Sequence, residues 1–209
     1  MGRDFEFKQL LRAYRTGIIS ESTFEHEMTA LENGAAMHNG AGEFRAFGRS
    51  YKNERTAIVS FLDKVRAGEA NGGEAFSAWA AACKTDCIRS GLRMVAEREA
   101  YHARVFAQRV AELGGEQRAG TTEEGRKFCA SLGDPNIPDT EKLLKITGNI
   151  GKPEDAIKPI CEFADLIKED LQTKEALRLF AEDELSTTKW LYESCAALNK
   201  PAAQATAMH

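Results

Sequence analysis

The chain has 209 residues, enough for one good-sized domain with a small appendage but too few for two full enzymatic domains. It carries 28 Lys and Arg residues against 32 Asp and Glu residues, a formal net charge of −4, so it has no overall positive field to hold nucleic acid or an anionic membrane. No run of apolar residues is long enough to span a bilayer. We therefore expect neither nucleic acid nor membrane as a partner.

The cysteines indicate a reducing compartment. There are five, an odd number, and they are widely spaced along the chain. The first residues lack the apolar core of a secretion signal. A disulfide framework is typical of small secreted domains, so we expect reduced cysteines and a cytoplasmic location.

The N-terminal segment predicts a short helical hairpin. Gly17 supplies a helix stop and Ser20 a helix N-cap. Asn and Gly residues in 33–43 indicate a flexible joint after it. We therefore treat 1–43 as an N-terminal helical hairpin with a joint, separate from the rest.

The remainder of the chain has almost entirely helical periodicity, which predicts an all-α fold. Four long helical runs are expected, at about 44–83, 86–113, 141–169 and 172–198. A long crossover at 114–140 connects two antiparallel hairpins. This connectivity is that of a ferritin-like four-helix bundle, which we place at 44–200, followed by a C-terminal tail at 201–209.

An acid and a histidine lie on the apolar stripe of the second helical run. Glu99 and His102 continue the spacing set by apolar residues at 88, 92, 95, 106, 110 and 113. A buried carboxylate without a partner costs several kcal/mol, so it requires compensation. Glu-x-x-His at this spacing is a metal-binding pattern of di-metal carboxylate bundles. Glu99 and His102 are therefore candidate metal ligands.

The pattern is partly repeated 85 residues later. Residues 91–99 and 176–184 are identical at five of nine positions, which pairs Glu99 with Glu184. Glu69 and Glu154 lie thirty residues before those two acids. Since the midpoints of the two pairs fall in expected turns, each helical hairpin can bring two acids to the same height. If the glycines around Glu69 formed a loop instead, Glu54 would be its substitute.

Residues 67–69 and 95–106 resemble the first half of the rubrerythrin and ferritin-like superfamily, in which a Glu on one helix and Glu-x-x-His on the next bind iron. The resemblance implies a carboxylate-bridged centre of two iron ions, with manganese possible. It implies Glu69 and Glu154 as terminal ligands, Glu99 and Glu184 as bridging ligands and His102 on one metal. Dioxygen or peroxide would be the reactant, with an electron donor that the sequence does not identify.

Three departures from the family pattern favour an alternative. Thr187 stands where a symmetrical site would have a second histidine, and no rubredoxin-like cysteine pair follows. Pro153 and Pro159 lie on either side of Glu154, which is the pattern of a third helix that begins or kinks there and carries Glu154 in its first turn. The alternative is a degenerate bundle without catalytic metal that acts as an oligomerisation or partner-binding scaffold. In either case we expect a homo-oligomer, a dimer.

Overall fold

The computed structural model describes residues 44–199 and, before them, positions 14, 20–22, 24, 25 and 28. The hairpin expected at 1–43 and the tail at 201–209 therefore lie outside the described residues, apart from those few positions. Two strands come first: β1 (Phe44–Ala46) and β2 (Arg49–Tyr51). Six helices follow: α1 (Glu54–Ala82), α2 (Asp86–Glu112), α3 (Glu123–Gly133), α4 (Asp139–Ile150), α5 (Pro153–Leu166) and α6 (Leu171–Leu198).

Helices dominate the described residues, so the prediction of a mainly helical fold is confirmed. None of these helices is both long enough and apolar enough to cross a membrane. The expected helical run from 86 agrees with α2, and the turn expected near residue 84 is present. Within the crossover expected at 114–140 lies the short helix α3, which is capped by Thr122: its hydroxyl accepts a hydrogen bond from the backbone N–H of Gly125 at 3.1 Å.

The first long helix begins at Glu54, not at residue 44, and the expectation of helix from 44 is wrong. β1 and β2 form an antiparallel hairpin there. Its turn residues, Phe47 and Gly48, have φ angles of 49° and 71°, as in the tight turns that join two strands. α1 then starts after Asn53, whose side-chain oxygen accepts from the Thr56 N–H at 2.9 Å, a typical N-cap.

The third expected run, 141–169, is two helices. α4 begins earlier, at Asp139, and ends at Gly151, whose φ of 83° stops the helix. α5 begins at Pro153, because proline has the backbone angle of a first helical residue and lacks the N–H that would be unpaired there. The run expected at 141–169 is thus interrupted, and Glu154 lies in the first turn of α5, as the proline before it indicated.

Backbone contacts divide the chain into two compact units. Of the described residues, one unit contains those up to Phe61 together with Lys158–Glu182. The other contains Leu62–Ile157 and the described residues from Asp183 onward. We describe them one at a time.

In the first unit, aromatic rings support the strand hairpin. Phe47 stacks on both Phe61 and Phe163, with ring centroids 6.1 Å apart in each pair. Phe61 and Phe163 themselves stack at 4.1 Å. These contacts offset the cost of the left-handed backbone at Phe47.

In the same unit, the Glu54 carboxylate holds the turn between α5 and α6 by hydrogen bonds. Glu54, which is buried, accepts hydrogen bonds from the backbone N–H groups of Lys168, Glu169 and Asp170 at 2.7–2.9 Å. Asp170 in turn accepts from the Thr173 N–H at 3.0 Å and so caps α6. The turn that precedes α6 is therefore stabilised by Glu54, the first residue of α1.

The second unit contains the larger apolar core. Its fully buried members include Trp79, Leu92 and Leu143. The Asp139 carboxylate, at the start of α4, accepts from Trp79 Nε1 at 2.8 Å and from the backbone N–H of Thr85 at 2.9 Å. Burial alone would raise the pKa of Asp139, but these hydrogen bonds together lower it. The charged form of Asp139 thus stabilises the turn between α1 and α2.

We expect Glu54→Ala to lower the free energy of unfolding by about 2–3 kcal/mol, because three backbone donors would lose a charged acceptor. Chemical denaturation measures this change. The matched control is Glu162→Ala on the exposed surface of α5, which should change stability by less than about 0.5 kcal/mol. Equal effects of the two substitutions would contradict the assigned role of Glu54.

Candidate metal centre

Four of the five acids and histidines predicted as ligands come together in the second unit. Glu69 lies on α1, Glu99 and His102 lie on α2, and Glu184 lies on α6. Glu69, Glu99 and His102 expose 8%, 7% and 4% of their surface, and Glu184 is partly buried. α1 is continuous through its glycines, so Glu69 lies on a helix and Glu54 is not its substitute.

His102 is at the centre of this cluster. Its Nδ1 atom lies 3.2 Å from Glu69 Oε2 and 3.7 Å from Glu184 Oε1. One ligand atom from each of the three residues lies within 4.8 Å of the other two. Ligand atoms at about 2.0–2.2 Å from an ion lie at most about 4.4 Å apart across it. Only a small contraction is therefore required for the three groups to hold one cation.

Glu99 joins the cluster through Glu69, since the two carboxyl groups share a hydrogen bond. Its other neighbour is the backbone of α1. A Cβ atom at Gly72 would overlap the Glu99 carboxylate, at Oε2. Gly72 therefore provides the space that lets Glu99 point inward from α2.

Burial is the largest reason why all three acids of the cluster bind protons more tightly than an exposed carboxyl group does. Burial, and then the nearby negative charge of Glu184, raise the pKa of Glu69 to about 9. Burial and the charges of Glu69 and Glu184 raise the pKa of Glu99 well above its ordinary value. Burial also raises the pKa of Glu184, although the charges of His102 and Arg98 oppose the increase. Without a cation the cluster holds protons, which a bound divalent ion would displace.

The far side of the imidazole is bonded to an acid that the sequence did not predict. His102 Nε2 lies 3.1 Å from Asp183 Oδ2, and Asp183 is about half exposed. When Nε2–H donates to Asp183, the lone pair of Nδ1 faces Glu69 and Glu184. Metal-binding histidines are commonly oriented in this way by an acid on the other ring nitrogen.

Arg98 also contacts Asp183. Its Nη1 atom donates to the backbone oxygen of Asp183 at 3.0 Å and lies 3.8 Å from the carboxylate. Arg98 and Asp183 occupy equivalent positions in the two repeated segments, but with opposite charges. This reversal of charge is the sequence signal that could have indicated the contact.

Two polar atoms on one turn of α6 make no hydrogen bond. In residues 44–199 and the few described before them, the buried side-chain atoms without one are Glu184 Oε1, Thr187 Oγ1 and Lys142 Nζ. The first belongs to the cluster, and Thr187 follows it by three residues, which places both on the same face of α6. Glu184 Oε1 and Thr187 Oγ1 can therefore each still form a hydrogen bond.

Glu154 does not join the other predicted ligands. It is exposed in the first turn of α5. The metal-sized group among the described residues is Glu69, His102 and Glu184, and Glu99 lies beside it in contact with Glu69. The expected height of Glu154 assumed one helix over 141–169. Because the chain breaks at Gly151, that assumption does not apply, and the cluster consists of Glu69, Glu99, His102 and Glu184.

Comparisons with known proteins give no relative for this chain. No family model matches it, no curated protein matches it and no solved structure matches it. The chemistry of the cluster is accordingly argued from its own geometry.

We expect the metal-free protein to lose stability as the pH rises from about 4.5 towards 9. The raised pKa of Glu69 means that the folded state binds this proton more tightly than the unfolded chain. The stabilisation is therefore complete below the unfolded pKa and is lost as the pH approaches the folded one. Urea denaturation in the presence of a chelator, at several pH values, measures this dependence.

The substitution Glu69→Gln should flatten that pH dependence, because it removes one of the titrating groups. Glu97→Gln, at an exposed position of α2, should leave it unchanged. A wild-type stability that stays level or increases over this pH interval would contradict the prediction.

Proposed function

We propose that this protein is a metal-binding protein in which Glu69, Glu99, His102 and Glu184 hold iron or manganese. The observation that carries the proposal is the orientation of His102. Its Nδ1 atom faces two carboxylates, while Asp183 occupies Nε2. With Nε2–H donating to Asp183 and the protons of the cluster released, the imidazole and the acids would present electron pairs towards one point, as ligands of a cation do.

The types of ligand favour these two metals. Carboxylate oxygens with one imidazole suit Fe²⁺ and Mn²⁺, whereas structural zinc and Fe–S sites use cysteine thiolates. The metal-sized group includes no cysteine among the described residues. The mixed set of oxygen and nitrogen ligands is what supports iron or manganese here.

We further propose a ferritin-like arrangement and a dinuclear, carboxylate-bridged centre. The order of ligands along the chain supports this proposal, since α1 supplies one Glu and α2 supplies Glu-x-x-His. Glu184 of α6 provides the acid expected from the second hairpin. The closeness of the Glu69 and Glu99 carboxyl groups, which share a hydrogen bond, supports carboxylates that would be shared between two ions.

The proposed reaction is with dioxygen or peroxide. A bound redox metal would supply electrons and polarise the oxygen reactant. The chain's own part is to release protons from Glu69 and Glu99 when the ion binds, and to hold the ring of His102 through Asp183. An external electron donor would complete a catalytic cycle.

The main test is binding of Mn²⁺, or of Fe²⁺ without oxygen, to the purified full-length protein, followed by titration calorimetry. We expect His102→Ala to weaken binding about 10- to 100-fold or more, because the only imidazole of the cluster is lost. Glu97→Gln and Glu154→Gln should bind as wild type, because both side chains are exposed. Bound metal should also raise the melting temperature of the wild type.

Two results would overturn this proposal. One is the absence of binding, and the other is equal binding by wild type and His102→Ala. Either would favour the scaffold interpretation, which expects the melting temperature to be the same with and without metal.

A pair of glycine substitutions tests the role of Glu99 independently. Gly72→Ala must push the Glu99 carboxylate aside, and we expect weaker metal binding with little loss of stability, because the end of a flexible side chain can move. Gly68→Ala, one turn earlier on α1, meets no atom within 4 Å. It should leave binding unchanged and raise the free energy of unfolding by about 0.5–1 kcal/mol. Unchanged binding in Gly72→Ala would exclude Glu99 as a ligand.

A further inference from the structure

The unpaired hydroxyl of Thr187 is unusual for a buried helical threonine. A threonine within a helix can donate to the backbone carbonyl one turn earlier. Thr147 of α4 does so, with its Oγ1 2.9 Å from the Leu143 oxygen. Thr187 exposes only 4% of its surface and makes no such bond. Its hydroxyl is therefore available to a group that is not part of the described chain.

A second unused atom lies on the same face of the same helix. Glu184 Oε1 is buried and accepts no hydrogen bond. Residues three apart on a helix are neighbours, yet these two side chains do not bond to each other. Buried polar atoms without partners are costly, and a small polar molecule held between them would satisfy both.

We propose that Thr187 Oγ1 and Glu184 Oε1 form the binding position for a small neutral hydroxylic molecule, such as water or hydrogen peroxide, beside the metal. This inference rests on the proposed function, because the molecule would also be a ligand of the ion. Thr187 is then a residue that determines which reactant is accepted.

The two side chains define the chemistry of this ligand. As a ligand of the ion Glu184 would be a carboxylate, which can only accept a hydrogen bond, so the small molecule must donate one. An anion without hydrogen, such as azide or chloride, does not meet that requirement. The Thr187 hydroxyl can donate or accept, which suits an oxygen atom bearing hydrogen. The burial of Thr187 limits the ligand to a few atoms. A second histidine at this position would occupy the space that the threonine leaves.

Mn²⁺-loaded protein allows the proposal to be tested with water as the probe. The relaxation rate of water protons reports water that is bound to Mn²⁺ and exchanges with solvent. We expect wild type and Thr187→Ser to show a bound-water contribution, and Thr187→Val, which keeps the volume but removes the hydroxyl, to lose it. All three proteins should bind Mn²⁺ with the same stoichiometry.

The melting temperature of the metal-free protein separates this role from a structural one. If the hydroxyl is unpaired, Thr187→Val should raise the melting temperature by about 2–4 °C. Thr147→Val should lower it, because that hydroxyl has a backbone partner. A lower melting temperature for Thr187→Val would show a structural hydrogen bond and overturn the proposal.

The remaining outcomes are also decisive. Equal relaxation rates for wild type and Thr187→Val, with Mn²⁺ bound to both, would overturn the role of Thr187 and leave the metal site intact. A wild type that binds no Mn²⁺ or Fe²⁺ would overturn the proposed function and this inference together.

Discussion

The burial of three carboxyl groups beside one imidazole is the constraint on which the second unit depends. Glu69, Glu99 and Glu184 approach one another inside a helical structure, where burial raises the pKa of all three and the charge of Glu184 raises it further for Glu69 and Glu99. Such a group must hold protons or a cation. An apolar residue at any of these positions would avoid the penalty. The cost of the cluster is therefore more readily explained by a ligand than by packing.

Around the cluster, the local structure orients each group. Asp183 occupies the outer nitrogen of His102, so that the inner nitrogen faces the acids. Gly72 removes the side chain that would exclude Glu99. Neither residue is itself a proposed ligand. Asp183 orients the ring of His102, and Gly72 lets the Glu99 carboxylate point inward. Metal binding depends on such orientation of the ligand atoms.

The sequence predicted the helical content and most of the cluster because both follow from periodicity. Glu99 and His102 interrupt an apolar stripe, and the repeat then indicates Glu184. The hairpin at 44–51 was missed because each strand has only three residues, too few to show an alternating pattern. Glu154 was misplaced because its height was counted along one helix over 141–169, whereas one helix stops before Gly151 and the next begins at Pro153. Asp183 was missed because a half-exposed acid beside an inward one has the pattern of surface charge.

Two residues at this site, Gly72 and Thr187, reduce stability, and both argue against the interpretation of the protein as a scaffold without metal. Gly72 lies within a long helix, where alanine would be more stable if space allowed it. Thr187 buries a hydroxyl without a partner, where valine would be more stable. A bundle without a ligand has no need for either residue, and apolar replacements at both would improve its packing. Natural proteins tend to depart from local rules where function requires it. Both departures lie at the cluster of buried acids and histidine, which favours a site that still binds its ligand over one that has lost it.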